Sequence, residues 1–107
     1  MSTTPSEPAA DVPVAVALEI TGRVQGVGFR QAMQTKAREL RLTGWVRNLR
    51  NGSVQAVVQG SSAQVASMLR WCRSGPPLAR VVHVAQRAQP PEPGWQDFIW
   101  RDTADGG

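Results

Sequence analysis

Apolar residues first fall on alternate positions, at Val14, Val16, Leu18 and Ile20, the period of a strand that buries one face. The period then lengthens. Phe29, Met33, Ala37 and Leu40 follow at helical spacing and predict a helix over Gln31–Arg41, with Lys36, Arg38 and Glu39 toward water. Thr43–Leu49 reads as a second strand. Asn51-Gly52 marks a two-residue hairpin turn, because both residue types tolerate positive φ. Ser53–Gln59 follows as a third strand, with Val54, Ala56 and Val58 on one face. Ser61 or Ser62 can cap a second helix, in which Val65, Met68, Leu69 and Cys72 form one apolar stripe. Gly75-Pro76-Pro77 ends it. Arg80–Arg87 alternates well enough for a fourth strand, Gln89–Gly94 is a proline-rich loop, and Trp95–Arg101 is a last short strand.

These elements run β-α-β-β-α-β, with a short strand added at the end. Two helices on one face of an antiparallel sheet, in that order, define an α+β, ferredoxin-like split βαβ sandwich. The domain is expected to span residues 14–101. Residues 1–13 are Ser, Thr, Pro, Ala and acids without periodicity and read as a disordered tail; Asp102–Gly107 reads as a polar one. A chain of 107 residues has room for one core. Many activities share this fold, so function has to be sought in a site.

Composition narrows the setting. With 41% hydrophobic and 19% charged residues the chain is of ordinary globular type. No apolar run reaches the roughly 18 residues of a membrane span, and the N-terminus lacks the basic start and apolar stretch of a secretory signal. Cys72 is the one cysteine, which fits a reducing compartment. The expectation is a cytoplasmic monomer with no membrane partner. The net charge of +4 is unevenly spread: between Val14 and Arg101 stand twelve basic and four acidic residues, a surplus of eight, and eleven of the twelve are arginine. Such a body attracts small polyanions and nucleic acid alike, and a merely solvated basic surface fits as well.

The junction between the first strand and the first helix is the most informative stretch. Gly22-Arg23-Val24-Gln25-Gly26-Val27-Gly28-Phe29-Arg30 places three glycines in nine residues. A glycine-rich turn at the N-terminus of a helix can aim several backbone N–H groups at one anion, aided by the helix dipole. Arg30, where the helix begins, would add a bidentate fork. The rest of the inventory is short. His83 lies in a strand without a visible partner, Cys72 lies on an apolar stripe, tyrosine is absent, and the carboxylates are scattered. No metal site, cofactor site or nucleophile-base constellation suggests itself. Backbone amides, guanidinium groups and a carboxamide remain, a set suited to holding phosphate and stabilising charge.

Gly-Arg-Val-Gln-Gly-Val-Gly-Phe-Arg, followed one helix later by Gly44-Trp45-Val46-Arg47-Asn48, resembles the acylphosphatase signature. Gly52-Ser53-Val54 and Gly60 continue the resemblance, which covers residues 14–101. It implies metal-free hydrolysis of carboxyl–phosphate mixed anhydrides to a carboxylate and inorganic phosphate, with a small acyl phosphate as substrate and no cofactor. By the same resemblance Arg30 and Asn48 are the catalytic residues. Arg30 would hold the phosphoryl oxygens together with the backbone amides of Gln25, Gly26, Val27, Gly28, Phe29 and Arg30 itself, and Asn48 would orient the attacking water. Some members carry a hydroxyl residue directly after the asparagine, where Leu49 stands here.

Each assignment has a plainer competitor. Asn48 alone reads as a turn asparagine bonded to local backbone. Arg23 reads as part of an electropositive rim, Phe29 as a core anchor, and Trp45, Trp71, Trp95 and Trp100 as partly buried packing residues. For the whole chain, a non-catalytic anion-binding module and an RNA-binding domain are the rivals. Strands one and three carry no aromatic residue on which bases could stack, which speaks against nucleic acid.

Overall fold

The computed structural model describes residues 12–105, so most of the expected N-terminal tail lies outside the described residues. Seven elements follow in chain order. They are β1 (Val14–Arg23), α1 (Phe29–Glu39), β2 (Thr43–Asn48), β3 (Val54–Gly60), α2 (Ser62–Cys72), β4 (Arg80–Gln89) and β5 (Phe98–Trp100). The sheet order is β4-β1-β3-β2-β5. β1 runs antiparallel to β3 and β4, and β2 antiparallel to β3. This is the ferredoxin-like arrangement that the element order predicts.

The sheet is mixed, however, where an antiparallel one was expected. β5 pairs in parallel with β2, Phe98 opposite Gly44 and Trp100 opposite Val46. The chain leaves β4 at one edge, crosses over and joins the other edge in the direction of β2. Trp95 lies ahead of that pairing, which begins with the Gly44 N–H bonded to the Asp97 carbonyl (3.1 Å). Beyond β5, the expected polar tail is also engaged. Ala104 donates to the Asn48 carbonyl and accepts from the Arg50 N–H, both at 2.9 Å.

Local chemistry sets the helix ends. α1 starts at Phe29, two residues before the expected position, because Gly28 adopts φ 78 and turns the chain into the helix. It stops at Glu39 instead of Arg41. Arg41 takes a left-handed φ of 59, so the Leu42 N–H reaches the Ala37 carbonyl (2.8 Å) and the Arg41 N–H the Arg38 carbonyl (3.1 Å). That pair of bonds is a Schellman stop, formed here without the usual glycine. At α2, Ser61 is the cap: its hydroxyl accepts from the Gln64 N–H and the Gln64 side chain returns a bond to the Ser61 N–H, a full capping box. The β2–β3 turn also departs from the expected two-residue form. Gly52 alone has positive φ there (97). The Gly52 N–H bonds to the Leu49 carbonyl and the Leu49 N–H to the Ser53 carbonyl, so the loop has three residues with glycine in the left-handed position.

The core lies between the helices and one face of the sheet. Leu18, Ile20, Met33, Val46, Val58, Met68 and Phe98 are all buried there. Cys72 joins them, and burial pushes its thiol up to about 12, so it stays protonated and inert at neutral pH. One stripe of α1 faces β5. Arg38, expected to face only water, forms a two-pronged ion pair with Asp97 (Nε–Oδ1 3.1 Å, Nη2–Oδ2 2.9 Å). Gln34 donates to the Phe98 carbonyl (3.0 Å), and Arg30 to that of Arg101 (3.1 Å). The hydrogen bond from Arg38, with one from the Phe98 N–H, holds the Asp97 carboxyl below its usual range. The tie therefore stands at neutral pH and is lost as pH falls through that lowered pKa.

Gly44 shows how closely β2 and β3 approach. Its φ is 133, and a Cβ there would run into the Val57 carbonyl. Gly44→Ala is expected to destabilise the fold by about 2–4 kcal/mol, read as a lowered urea midpoint; an unchanged midpoint would refute the close approach.

Candidate anion-binding active site

β1 delivers the chain into five residues, Val24 to Gly28, that have no regular structure, after which α1 begins. Gly26 and Gly28 both take left-handed φ values (75 and 78), which turn the backbone twice in three residues. No side chain caps α1. Among the described residues, the N–H groups of Gln25 through Gln31 donate to no protein acceptor. Unpaired amides at the N-terminus of a helix are suited to an anion.

A cavity of about 200 Å³ opens against this loop. Its lining comprises Val24, Gln25, Gly26, Gly28, Phe29, Arg30, Gln31, Asn48 and Trp100. Arg30 and Asn48, eighteen residues apart in sequence, thus meet beside the glycine turn. Val27 does not line the cavity; its side chain packs on the core. Phe29 has its ring in the core (2% exposed), edge-on to Trp71 at 5.5 Å, as a core anchor should be. Arg23 is exposed at the end of β1 and His83 is exposed on β4, both away from the lining. A larger groove of about 540 Å³ runs along α1 toward Gly75–Pro77. It shares Gly28 and Gln31 with the cavity but includes neither Arg30 nor Asn48.

Asn48 ends β2 on the same side of the sheet as buried Val46. Its carboxamide makes no hydrogen bond within the described residues. The turn role belongs instead to Asn51, whose Oδ1 accepts from the Ser53 N–H at 2.9 Å. Two asparagines three residues apart therefore do different work, one closing the hairpin and one facing the cavity. Leu49, directly after Asn48, is buried (3% exposed). Its backbone carries the polar contacts.

Three features escaped the sequence reading. The first is the Gln25 side chain. Its Nε2 donates to the carbonyls of Leu49 (2.7 Å) and Ser53 (2.9 Å), so the loop is fastened to the hairpin that carries Asn48. The second is Trp100, expected as a packing residue. It is 47% exposed, lines the cavity, and has the Arg30 guanidinium over its ring at 4.9 Å. The third is Trp45, on the opposite sheet face by alternation from Val46. The guanidinium groups of Arg47 and Arg101 lie over its ring at 4.9 and 4.8 Å. A spacing rule that scores only apolar neighbours misses all three, since each includes a polar or charged group from a distant part of the chain. Among the described residues, no group of three or more His, Cys, Asp or Glu side chains stands close enough to hold a metal ion.

The fold and site together describe a small α+β domain with a glycine turn, an arginine and an asparagine around one cavity at a strand-to-helix junction. Residues 16–99 match the family model "Acylphosphatase". An acylphosphatase of Synechococcus sp. (strain JA-2-3B'a(2-13)) is 52% identical, over 84% of this chain and 95% of its own; one from Acidiphilium cryptum is 51% identical, over 84% and 98%. A solved acylphosphatase structure from Coxiella burnetii superposes with a TM-score of 0.80 at 37% identity, covering 83% of this chain and 93% of that one. The chain belongs to the acylphosphatase family, and with it to the hydrolases.

The Gln25 bridge makes its own prediction. Gln25→Ala should cost about 1–2 kcal/mol of stability, since each carbonyl keeps a second partner. It should also speed amide hydrogen exchange at Gly26–Phe29. Unchanged exchange there would mean that the loop holds its shape without the bridge.

Proposed function

We propose that the chain hydrolyses acyl phosphates to a carboxylate and inorganic phosphate without a metal, with Arg30 and the loop amides holding the phosphoryl group and Asn48 orienting water. The observation that carries this reading is one cavity that gathers donors, most of them with no acceptor of their own. The free N–H groups of the glycine turn, the Arg30 fork and the unbonded Asn48 carboxamide all line it. Membership of the acylphosphatase family supports the same substrate class.

The chemistry asks little of the protein beyond position and charge. In phosphoryl transfer, negative charge spreads over the three equatorial oxygens, so fixed donors around them lower the barrier without a covalent step. Amides of Gln25 to Arg30 supply fixed dipoles, and α1 adds the positive end of its own. Arg30 adds a full charge and two parallel donors. The Asn48 carbonyl can accept a hydrogen bond from water and its amide can donate one to a phosphoryl oxygen. Water then attacks phosphorus in line as the P–O bond to the carboxylate breaks. A carboxamide is too weak a base to take the proton, so a phosphoryl oxygen of the substrate receives it. The carboxylate leaves as a weak base and needs no general acid.

Purified protein is expected to hydrolyse acetyl phosphate and benzoyl phosphate in the presence of EDTA. Arg30→Ala and Asn48→Ala should each lower turnover about 10²–10³-fold, the usual consequence of removing one preorganised donor, with the thermal midpoint kept. Wild-type turnover in both variants would reject these roles. Phosphate binding without turnover by the native protein would instead identify an anion-binding module.

A further inference from the structure

Arg30 and Arg38 lie two turns apart on the stripe of α1 that faces β5, yet their surroundings differ. Arg38 is held by the Asp97 carboxylate, which cancels its charge. Arg30 has no carboxylate within 4 Å among the described residues. Its partners are the Arg101 carbonyl, 3.1 Å from Nη1, and the Trp100 ring, 4.9 Å from the guanidinium carbon. Both are neutral.

We propose that Trp100 is a positioning residue for Arg30, holding the guanidinium by the face of its indole so that the group is oriented but keeps its full charge for a phosphoryl ligand. The inference rests on reading Arg30 as the phosphate-holding residue. A hydrogen bond at one nitrogen leaves the guanidinium free to swing about that bond, and contact with a ring face restricts the swing. A carboxylate would hold the group more tightly, but it would also compete with the ligand for the same charge and the same N–H donors. An aromatic quadrupole attracts the cation without using its N–H edges.

The position of Trp100 in the sheet agrees. It lies two residues beyond Phe98, on the same face of β5. Phe98 is wholly buried and closes the core, whereas Trp100 is 47% exposed and lines the cavity. The core therefore does not require an indole at this place. The stack on Arg30 accounts for one.

Trp100→Leu and Trp100→Phe, compared with wild type, test this. Kd for inorganic phosphate is measured by calorimetry, KM and kcat for benzoyl phosphate by turnover, and the thermal midpoint by calorimetric scan. Trp100→Leu keeps apolar bulk but loses the ring face, and should raise phosphate Kd and KM about two- to fivefold while kcat changes less. Trp100→Phe should recover most of that loss. A Trp100→Leu protein with wild-type Kd and KM overturns the proposal. So does a Trp100→Phe protein as impaired as the leucine variant, because bulk at the rim would then be what matters. If wild type binds phosphate without hydrolysing acyl phosphates, the catalytic reading fails, yet a weaker Kd in Trp100→Leu, restored in Trp100→Phe, still upholds the positioning role.

Discussion

A single carboxamide, that of Gln25, joins the two halves of the site. The glycine turn is a backbone structure with few side chains to anchor it, and its own N–H groups bond to no protein acceptor among the described residues. Such a segment needs support from outside. Gln25 supplies it by donating to the Leu49 and Ser53 carbonyls, which flank the turn just after Asn48. The hairpin is itself fastened to β1, where the Ser53 hydroxyl lies 2.9 Å from the Glu19 carboxylate. Cradle and carboxamide are thereby referred to one frame. Preorganisation of this kind matters where catalysis consists of holding charges in place.

The second support comes from the sheet edge. Arg30, Gln34 and Arg38 repeat every four residues along α1, and each meets β5 or its flanks. The same spacing thus ties the helix to the sheet edge at one end and places an arginine at the cavity at the other. Arg38 is exposed and neutralised, a tie of modest strength by the standard of surface ion pairs. Arg30 is placed by neutral groups, and its charge remains free for an anion. The parallel addition of β5 beside β2 makes this possible, because it brings Phe98 under Gln34 and Trp100 beside Arg30.

The family membership and the geometry bear on different questions. Relatives about half identical over nearly their whole length establish which proteins this chain belongs with. They do not say how its arginine is held. That follows from the contacts of this chain: a tryptophan at the cavity rim, and a leucine after the asparagine whose side chain is buried and whose carbonyl serves the loop.

Local periodicity and backbone chemistry were enough, before any coordinates, for the element order, the ferredoxin-like class and the glycine turn, because a strand's alternation, a helix's stripe and a glycine's φ are properties of neighbouring residues. The same holds for Arg30 at the helix start, and for Asn48 sharing the side of Val46. Where local signals overlapped, the reading slipped: Arg41 looks helical by composition but ends α1 in a left-handed conformation, and Asn51-Gly52 looks like a two-residue turn but forms a three-residue one. Only the tertiary structure decided the parallel edge strand, the Gln25 bridge across 24 residues, the Arg38–Asp97 pair across 59 and the Arg30–Arg101 contact across 71. Each of these joins segments whose proximity depends on how the whole sheet is ordered, and no pattern within one segment encodes that order.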